Sequence, residues 1–238
     1  MNSTRNPGRV AGLLYLLLCL VGPVRLIYIP SKLFVHGNAA ATASNIAAHE
    51  SLFRFGIVRD LAGGVLLILL VLAFYRLFQG VDQNLAVLMV IFGGVMPAIL
   101  YFVGVVRDAA ALMIVRGPDF LSEFDKPRRD ALAMLFLRLR DHLNTAAETL
   151  WGVWLFPLAL LVYRSRFLPR LLGVWLALGG FAYVLLSLTG ELLPQYQDKV
   201  FTYAQPAFFG EIAFTLWLLI KGAKPPAPAV APSFSAAG

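Results

Sequence analysis

Arg138-Leu-Arg-Asp-His-Leu-Asn-Thr-Ala-Ala-Glu-Thr-Leu-Trp151 runs without a break into Val153-Trp-Leu-Phe-Pro-Leu-Ala-Leu-Leu-Val162. Wound as a helix at about 100° per residue, the first part places Asp141, Thr145, Glu148 and Gly152 on one line. Asn144 flanks that line on one side, Arg138 and Thr149 on the other. The opposite face carries Leu139, Leu143, Ala146, Leu150 and Trp154. In a soluble protein this is a surface helix with a wet side. Here it continues into an apolar run within a chain that is otherwise mostly lipid-like, so the polar line must face other helices or a wet cavity, because a charge turned to hydrocarbon costs several kcal/mol.

The composition of the whole chain supports the membrane reading. Of 238 residues, 59% are hydrophobic and 14% charged, against roughly 45–50% and about 25% in soluble domains. Mean hydropathy is +0.76. The net charge of +7 raises nucleic acid as a partner, but no basic cluster is interleaved with polar surface as a groove binder requires. The lysines and arginines instead read as topology signals. The single cysteine, Cys19, excludes an internal disulfide. All five lysines (Lys32, Lys126, Lys199, Lys221, Lys224) lie at segment ends or in loops, which argues against a buried Schiff-base lysine.

Apolar runs predict six spans: 10–29, 51–78, 84–115, 131–163, 171–189 and 200–220. The first is too long for the core of a signal peptide, so it is read as a helix that stays, kinked at Pro23 with Arg25 near its far end. Residues 30–50 form a loop holding a short Ala-rich helix at 39–49. Residues 116–130, with Gly117-Pro118 and Lys126-Pro127, read as a second loop. The expected fold is an all-α bundle of six transmembrane helices in one domain, 1–222, followed by a disordered Pro/Ala-rich tail, 223–238. Arg5, Arg9, Arg76, Arg164, Arg166, Arg170, Lys221 and Lys224 lie at one end of that bundle. Lys32, Arg116, Lys126, Arg128, Arg129 and Lys199 lie at the other. The bias places both termini in the cytoplasm.

On that topology the ionisable residues within spans gather in the non-cytoplasmic half. With Arg25 set aside as interfacial, Arg54, Arg59, Arg107, Arg138 and Arg140 meet Asp60, Asp108, Asp141, Glu148 and Glu211. The arrangement predicts a polar cup open to the outer face and closed below by an apolar plug. Neighbours on a helix point about 100° apart, so each arginine of the Arg-Asp dipeptides at 59–60, 107–108 and 140–141 is expected to bind an acid on another helix. Glu148 and Glu211 have no arginine beside them, and Arg54 or Arg107 is the expected partner across the bundle. The candidate cavity residues are Arg54, Arg59, Asp60, Arg107, Asp108, Arg138, Asp141, His142, Glu148 and Glu211.

His36, His49 and His142 share no helical i, i+4 spacing, so no metal or other cofactor is expected, although His142 with Asp141, Glu148 and Glu211, joined by His49-Glu50 from the loop, is the one mixed set to test. No nucleophile motif or phosphate-cradling loop is present. Gly63-Gly64, Gly93-Gly94 and Gly179-Gly180 read as close helix contacts, and Trp151, Trp154, Trp175 and Trp217 as packing or interface anchors. A non-catalytic binding or transport-like role for a small polar molecule or lipid headgroup therefore leads. Its rivals are an intramembrane enzyme using Glu148 or Glu211, with a metal on His142, and a structural or regulatory partner of another membrane protein held by an ion-pair network. The composition leaves the oligomeric state open.

Several blocks carry a resemblance. Arg9-Val-Ala-Gly-Leu-Leu-Tyr-Leu-Leu, the stretch 39–46 leading to Glu50-Ser-Leu-Phe-Arg-Phe-Gly, Tyr163-Arg-Ser-Arg-Phe-Leu-Pro-Arg-Leu-Leu-Gly, and Gly210-Glu211 with Leu216-Trp-Leu-Leu-Ile-Lys-Gly are similar to a bacterial six-helix membrane family. That family is numbered 4386 among domains of unknown function. The resemblance covers roughly residues 9–222 and implies a six-helix architecture in the bacterial cytoplasmic membrane. It assigns no catalytic residue. Arg107-Asp108 makes the third span more charged than the resemblance leads one to expect.

Overall fold

The computed structural model describes residues 6–224, with the backbone alone at 25 and 26. The tail beyond 224 and the side chain of Arg25 lie outside the described residues. Within them every regular element is helical. In order these are α1 (Pro7–Pro23), a π turn (Val24–Tyr28), α2 (Ile29–Leu33), α3 (Ala39–Ala48), α4 (Glu50–Phe78) and α5 (Gln83–Val90). A second π turn (Ile91–Val95), α6 (Met96–Arg116), α7 (Lys126–Arg164), α8 (Arg170–Leu192) and α9 (Gln197–Ile220) follow, with short 3-10 turns at Asp119–Leu121 and Pro194–Tyr196.

Among the described residues, five helical stretches are long and apolar enough to cross a membrane: Glu50–Phe78, Gln83–Arg116, Lys126–Arg164, Arg170–Leu192 and Pro194–Ile220. The shorter apolar α1 joins them, and its helix continues through the π turn into α2. The apolar runs of the sequence therefore become the spans, because only hydrogen-bonded helices or closed barrels satisfy a backbone in hydrocarbon.

Both π turns have the same cause. Val24–Tyr28 ends two residues before Pro30, and Ile91–Val95 ends two residues before Pro97. A proline inside a helix removes one N–H and crowds the carbonyl four residues back, here residues 26 and 93. Widening that turn by one residue relieves the clash without breaking the rod. The first span is thus distorted after Pro23, between it and Pro30.

Helix starts follow from side-chain caps. Asn6 Oδ1 accepts from the Gly8 amide at 3.0 Å, Asn38 Oδ1 from Ala41 at 2.9 Å, and Asp82 Oδ1 from Leu85 at 3.1 Å. Asp125 Oδ1 accepts from Arg128 at 3.0 Å. This last cap, with Pro127 in the first turn, makes Lys126-Pro127 a helix start where the sequence suggested a loop. The resulting α7 has 39 residues, about 58 Å at about 1.5 Å per residue. A hydrocarbon layer is roughly 30 Å thick, so much of α7 extends beyond it.

The start of α1 and the residues just after α9 meet at one end of the bundle. The Gly8 amide donates to Ala223 O at 3.1 Å, the Ala223 amide to Asn6 Oδ1 at 3.1 Å, and Arg9 Nη2 to Ile220 O at 3.1 Å. Near the same end Arg164 Nη1 lies 2.8 Å from Asp82 Oδ2. The apolar core here includes Phe74, Phe78, Leu155, Leu158 and Phe214. A second, smaller core of Ile29, Leu33, Ile46, Phe53, Leu112 and Leu137 sits toward the other end, under α2 and α3. The expected glycine contacts are present: Gly93 faces the Trp154 ring, Gly94 faces Val71, and Gly63 faces Tyr101. Gly152 and Gly180 are reciprocal, since a Cβ on Gly152 would meet Gly180 O at 2.7 Å and a Cβ on Gly180 would meet Gly152 O at 2.9 Å.

Candidate functional site

The buried charge lies along the bundle between the two cores. Arg59 and Asp60 come from α4, Arg107 and Asp108 from α6, and Arg140 from α7, around a space of about 20 Å³ walled by Ile29, Phe34 and Phe53. That is room for about one water. Arg59, Asp60, Arg107 and Arg140 are 8%, 2%, 6% and 8% exposed.

Two of the Arg-Asp dipeptides pair within themselves, a contact that the inter-helix expectation did not include. Arg59 Nη2 donates to the neighbouring Asp60 Oδ1. Arg107 donates from Nε at 2.9 Å and from Nη2 at 2.6 Å to Asp108 Oδ1. The arginine stem is long enough to fold back across the angle between adjacent residues, so the 59–60 and 107–108 dipeptides each close an ion pair of their own. Arg107 Nη1 remains buried with no hydrogen-bond partner among the described residues. An unmet guanidinium donor in a dry place costs about 1–3 kcal/mol or more.

Outside this cluster lies a vestibule of about 370 Å³ between the end of the first helix and α7. Its polar wall is Ser31, His36, Arg138, Arg140, Asp141 and Asn144. Arg140 and Phe34 line both spaces. The Arg140 guanidinium carbon sits 5.6 Å from the Phe34 ring centroid, within cation–π range. The stacked pair is the floor of the vestibule and the roof of the buried cluster. Asn144 Oδ1 is also buried without a partner among the described residues.

The remaining candidates fall elsewhere. Arg54 is exposed and shares Glu50 with Arg116, both at 2.6 Å. His142 is exposed, 3.5 Å from Glu191 Oε1, and borders a lipid-like groove with Phe102, Val103 and Leu139. Glu148 and Glu211 do not pair with Arg54 or Arg107 as expected, because Glu50 and Asp108 already hold those arginines. Glu148 Oε2 is buried with no hydrogen-bond partner among the described residues, and Glu211 Oε2 accepts from Tyr15 Oη. Among the described residues no three His, Cys, Asp or Glu side chains come together as a metal site, so the mixed set on His142 is not assembled.

Much of the polar line on α7 is spent on helix packing. Ser187 Oγ of α8 donates to Thr145 O at 2.7 Å and lies 2.6 Å from Thr149 Oγ1. One turn on, Gly152 meets Gly180 and Val184. The sequence reading missed Phe34, His36 and the aromatic surroundings of Glu211. Their partners are distant in the chain, and the tryptophans carried no mark separating packing from binding.

The comparisons with known proteins speak to family and not to chemistry. The family described as Domain of unknown function (DUF4386) matches residues 10–222. An uncharacterized protein of Archaeoglobus fulgidus is 32% identical over 74 residues, which cover 31% of this chain and 43% of that relative. The matched stretch thus spans less than half of the relative's length. No solved structure matches the chain. With the match running over nearly the whole bundle, the chain belongs to the DUF4386 family, a domain of unknown function.

Proposed function

We propose that the chain is a binding or transport-like protein of the bacterial cytoplasmic membrane, a single six-helix domain over 1–222 with both termini cytoplasmic. Its ligand is a small polar molecule or lipid headgroup bearing an anionic group, entering the vestibule from the non-cytoplasmic side. The observation that carries this reading is the position of Arg140, which lines the open vestibule and the buried cluster at once. Arg138 beside it and Arg107 below, with its unmatched Nη1, make the route rich in guanidinium donors. Guanidinium forks suit carboxylate and phosphate. Asp60, Asp108 and Asp141 offset part of the charge and offer acceptors to ligand hydroxyls.

The test is thermal unfolding of the detergent-purified chain with glycerol 3-phosphate, inorganic phosphate and citrate, each against glycerol. A ligand at about 100 times its Kd stabilises by about 2.7 kcal/mol. At least one anion is expected to raise the midpoint in wild type and not in Arg140→Gln, with glycerol inert in both.

A second reading is that the cluster is scaffold, because Arg59–Asp60 and Arg107–Asp108 are already closed pairs. On that reading no anion shifts the wild-type midpoint, and the same substitutions affect stability alone.

A further inference from the structure

Glu211 occupies a second cavity that shares no lining residue with the vestibule or the arginine cluster. The space is about 200 Å³ and lies among α1, α4, α6, α7, α8 and α9. Its wall combines apolar residues with Tyr15, Trp151, Trp154 and Tyr183, the Glu211 carboxyl group lines the same space, and among the described residues no lysine, arginine or histidine does. Two edge-to-face pairs build the wall. Tyr15 and Trp154 have centroids 5.9 Å apart at 66°, and Trp151 and Tyr183 have centroids 5.9 Å apart at 75°. Tyr15 Oη, on the neighbouring α1, donates to Glu211 Oε2 and fixes the carboxyl group.

Glu211 has no ion-pair partner among the described residues, and neither has Glu148, whose buried Oε2 accepts nothing. Tyr183 lies within electrostatic reach of both acids. Ionisable groups at membrane depth are expensive and normally have a partner. The faces of tyrosine and tryptophan rings carry negative potential, which attracts a cation most strongly where water is excluded. An anion would meet the Glu211 carboxyl group and ring faces here with no cationic side chain among the described lining residues to offset them. A bare metal ion finds one carboxylate and the Cys19 thiol, short of a ligand set. A weakly hydrated cation with an apolar surface fits both features.

We propose that this cavity binds a small organic ammonium ion, with Glu211 as its counter-charge and Tyr15, Trp151, Trp154 and Tyr183 as the cage. The site is independent of the anion vestibule proposed above, and a single ligand bearing both charges is not required.

The test is tryptophan fluorescence of the full chain in mild detergent, since Trp151 and Trp154 are in the wall. Choline and tetramethylammonium are titrated against 3,3-dimethyl-1-butanol, the uncharged analogue of choline, and against sodium chloride at equal ionic strength. The expected result is a saturable change with the ammonium ions and binding of the neutral analogue weaker by about tenfold or more. Glu211→Gln should bring choline to the level of the neutral analogue, and Trp151→Leu should weaken both ammonium ions. Equal binding of choline and its analogue would overturn the proposal, leaving only an apolar cavity. So would ammonium titrations that match sodium chloride. Because the wild-type comparison needs no variant, a poorly folding Glu211→Gln leaves the test intact.

Discussion

Arg140 lies over Phe34, its guanidinium carbon 5.6 Å from the ring centroid, and this pair lines both the vestibule and the space among the buried charges. A flat cation over a ring face is held by packing and by attraction to the π system, and lysine reproduces neither the fork nor the stack. Arg140→Lys is therefore expected to keep the charge and lose at least tenfold in anion affinity. Parallel thermal unfolding and ligand titration check this. Equal affinity in the variant would show that a point charge suffices.

Asp60 is 2% exposed and accepts from Arg59 within its own dipeptide. Removing one member of a buried pair leaves the other charge uncompensated, at about 3–5 kcal/mol. Asp60→Ala is expected to lower the unfolding midpoint strongly, and Asp60→Asn, which keeps the volume and removes the charge, to lower it by nearly as much. Detergent unfolding curves of the two variants decide it: an Asp60→Asn midpoint equal to wild type would show that the charge of Asp60 contributes nothing to stability.

The reciprocal approach of Gly152 and Gly180 lets α7 and α8 touch through backbone, with a Cβ on either meeting a carbonyl of the other at under 3 Å. Small residues at such crossings allow close packing in membranes. Gly152→Val is expected to force the helices apart and cost about 1–3 kcal/mol. It should also disturb the Thr149–Ser187 contact at 2.6 Å. Gly37, with φ 71° and open space around it, makes no such contact, but its positive φ strains any side chain, so an exposed residue such as Gly80 is the better control. Gly80→Ala should leave the midpoint within about 0.5 kcal/mol.

Spans were legible because hydrocarbon admits few solutions: the expected 51–78 and 200–220 became Glu50–Phe78 and Gln197–Ile220. Loop chemistry was less legible. Lys126-Pro127 carries the marks of a turn, and only the cap from Asp125 reveals a helix start. The kink was expected at Pro23, whereas the widened turns lie just before Pro30 and Pro97. The candidate cup was legible as a set of charges and not as a geometry. Arg59, Asp60, Arg107, Asp108 and Arg140 do converge, with Arg138 and Asp141 above them. The position of Glu211, by contrast, depends on Tyr15, 196 residues away in the chain, a pairing no local pattern encodes.

The most direct measurement is native mass spectrometry of wild type and Arg140→Gln released from mild detergent, each loaded with the anion that gives the largest thermal shift. The vestibule account predicts one anionic adduct per chain on wild type and its loss from the folded variant. An adduct retained in full by Arg140→Gln, or a wild-type chain that carries none, would contradict it.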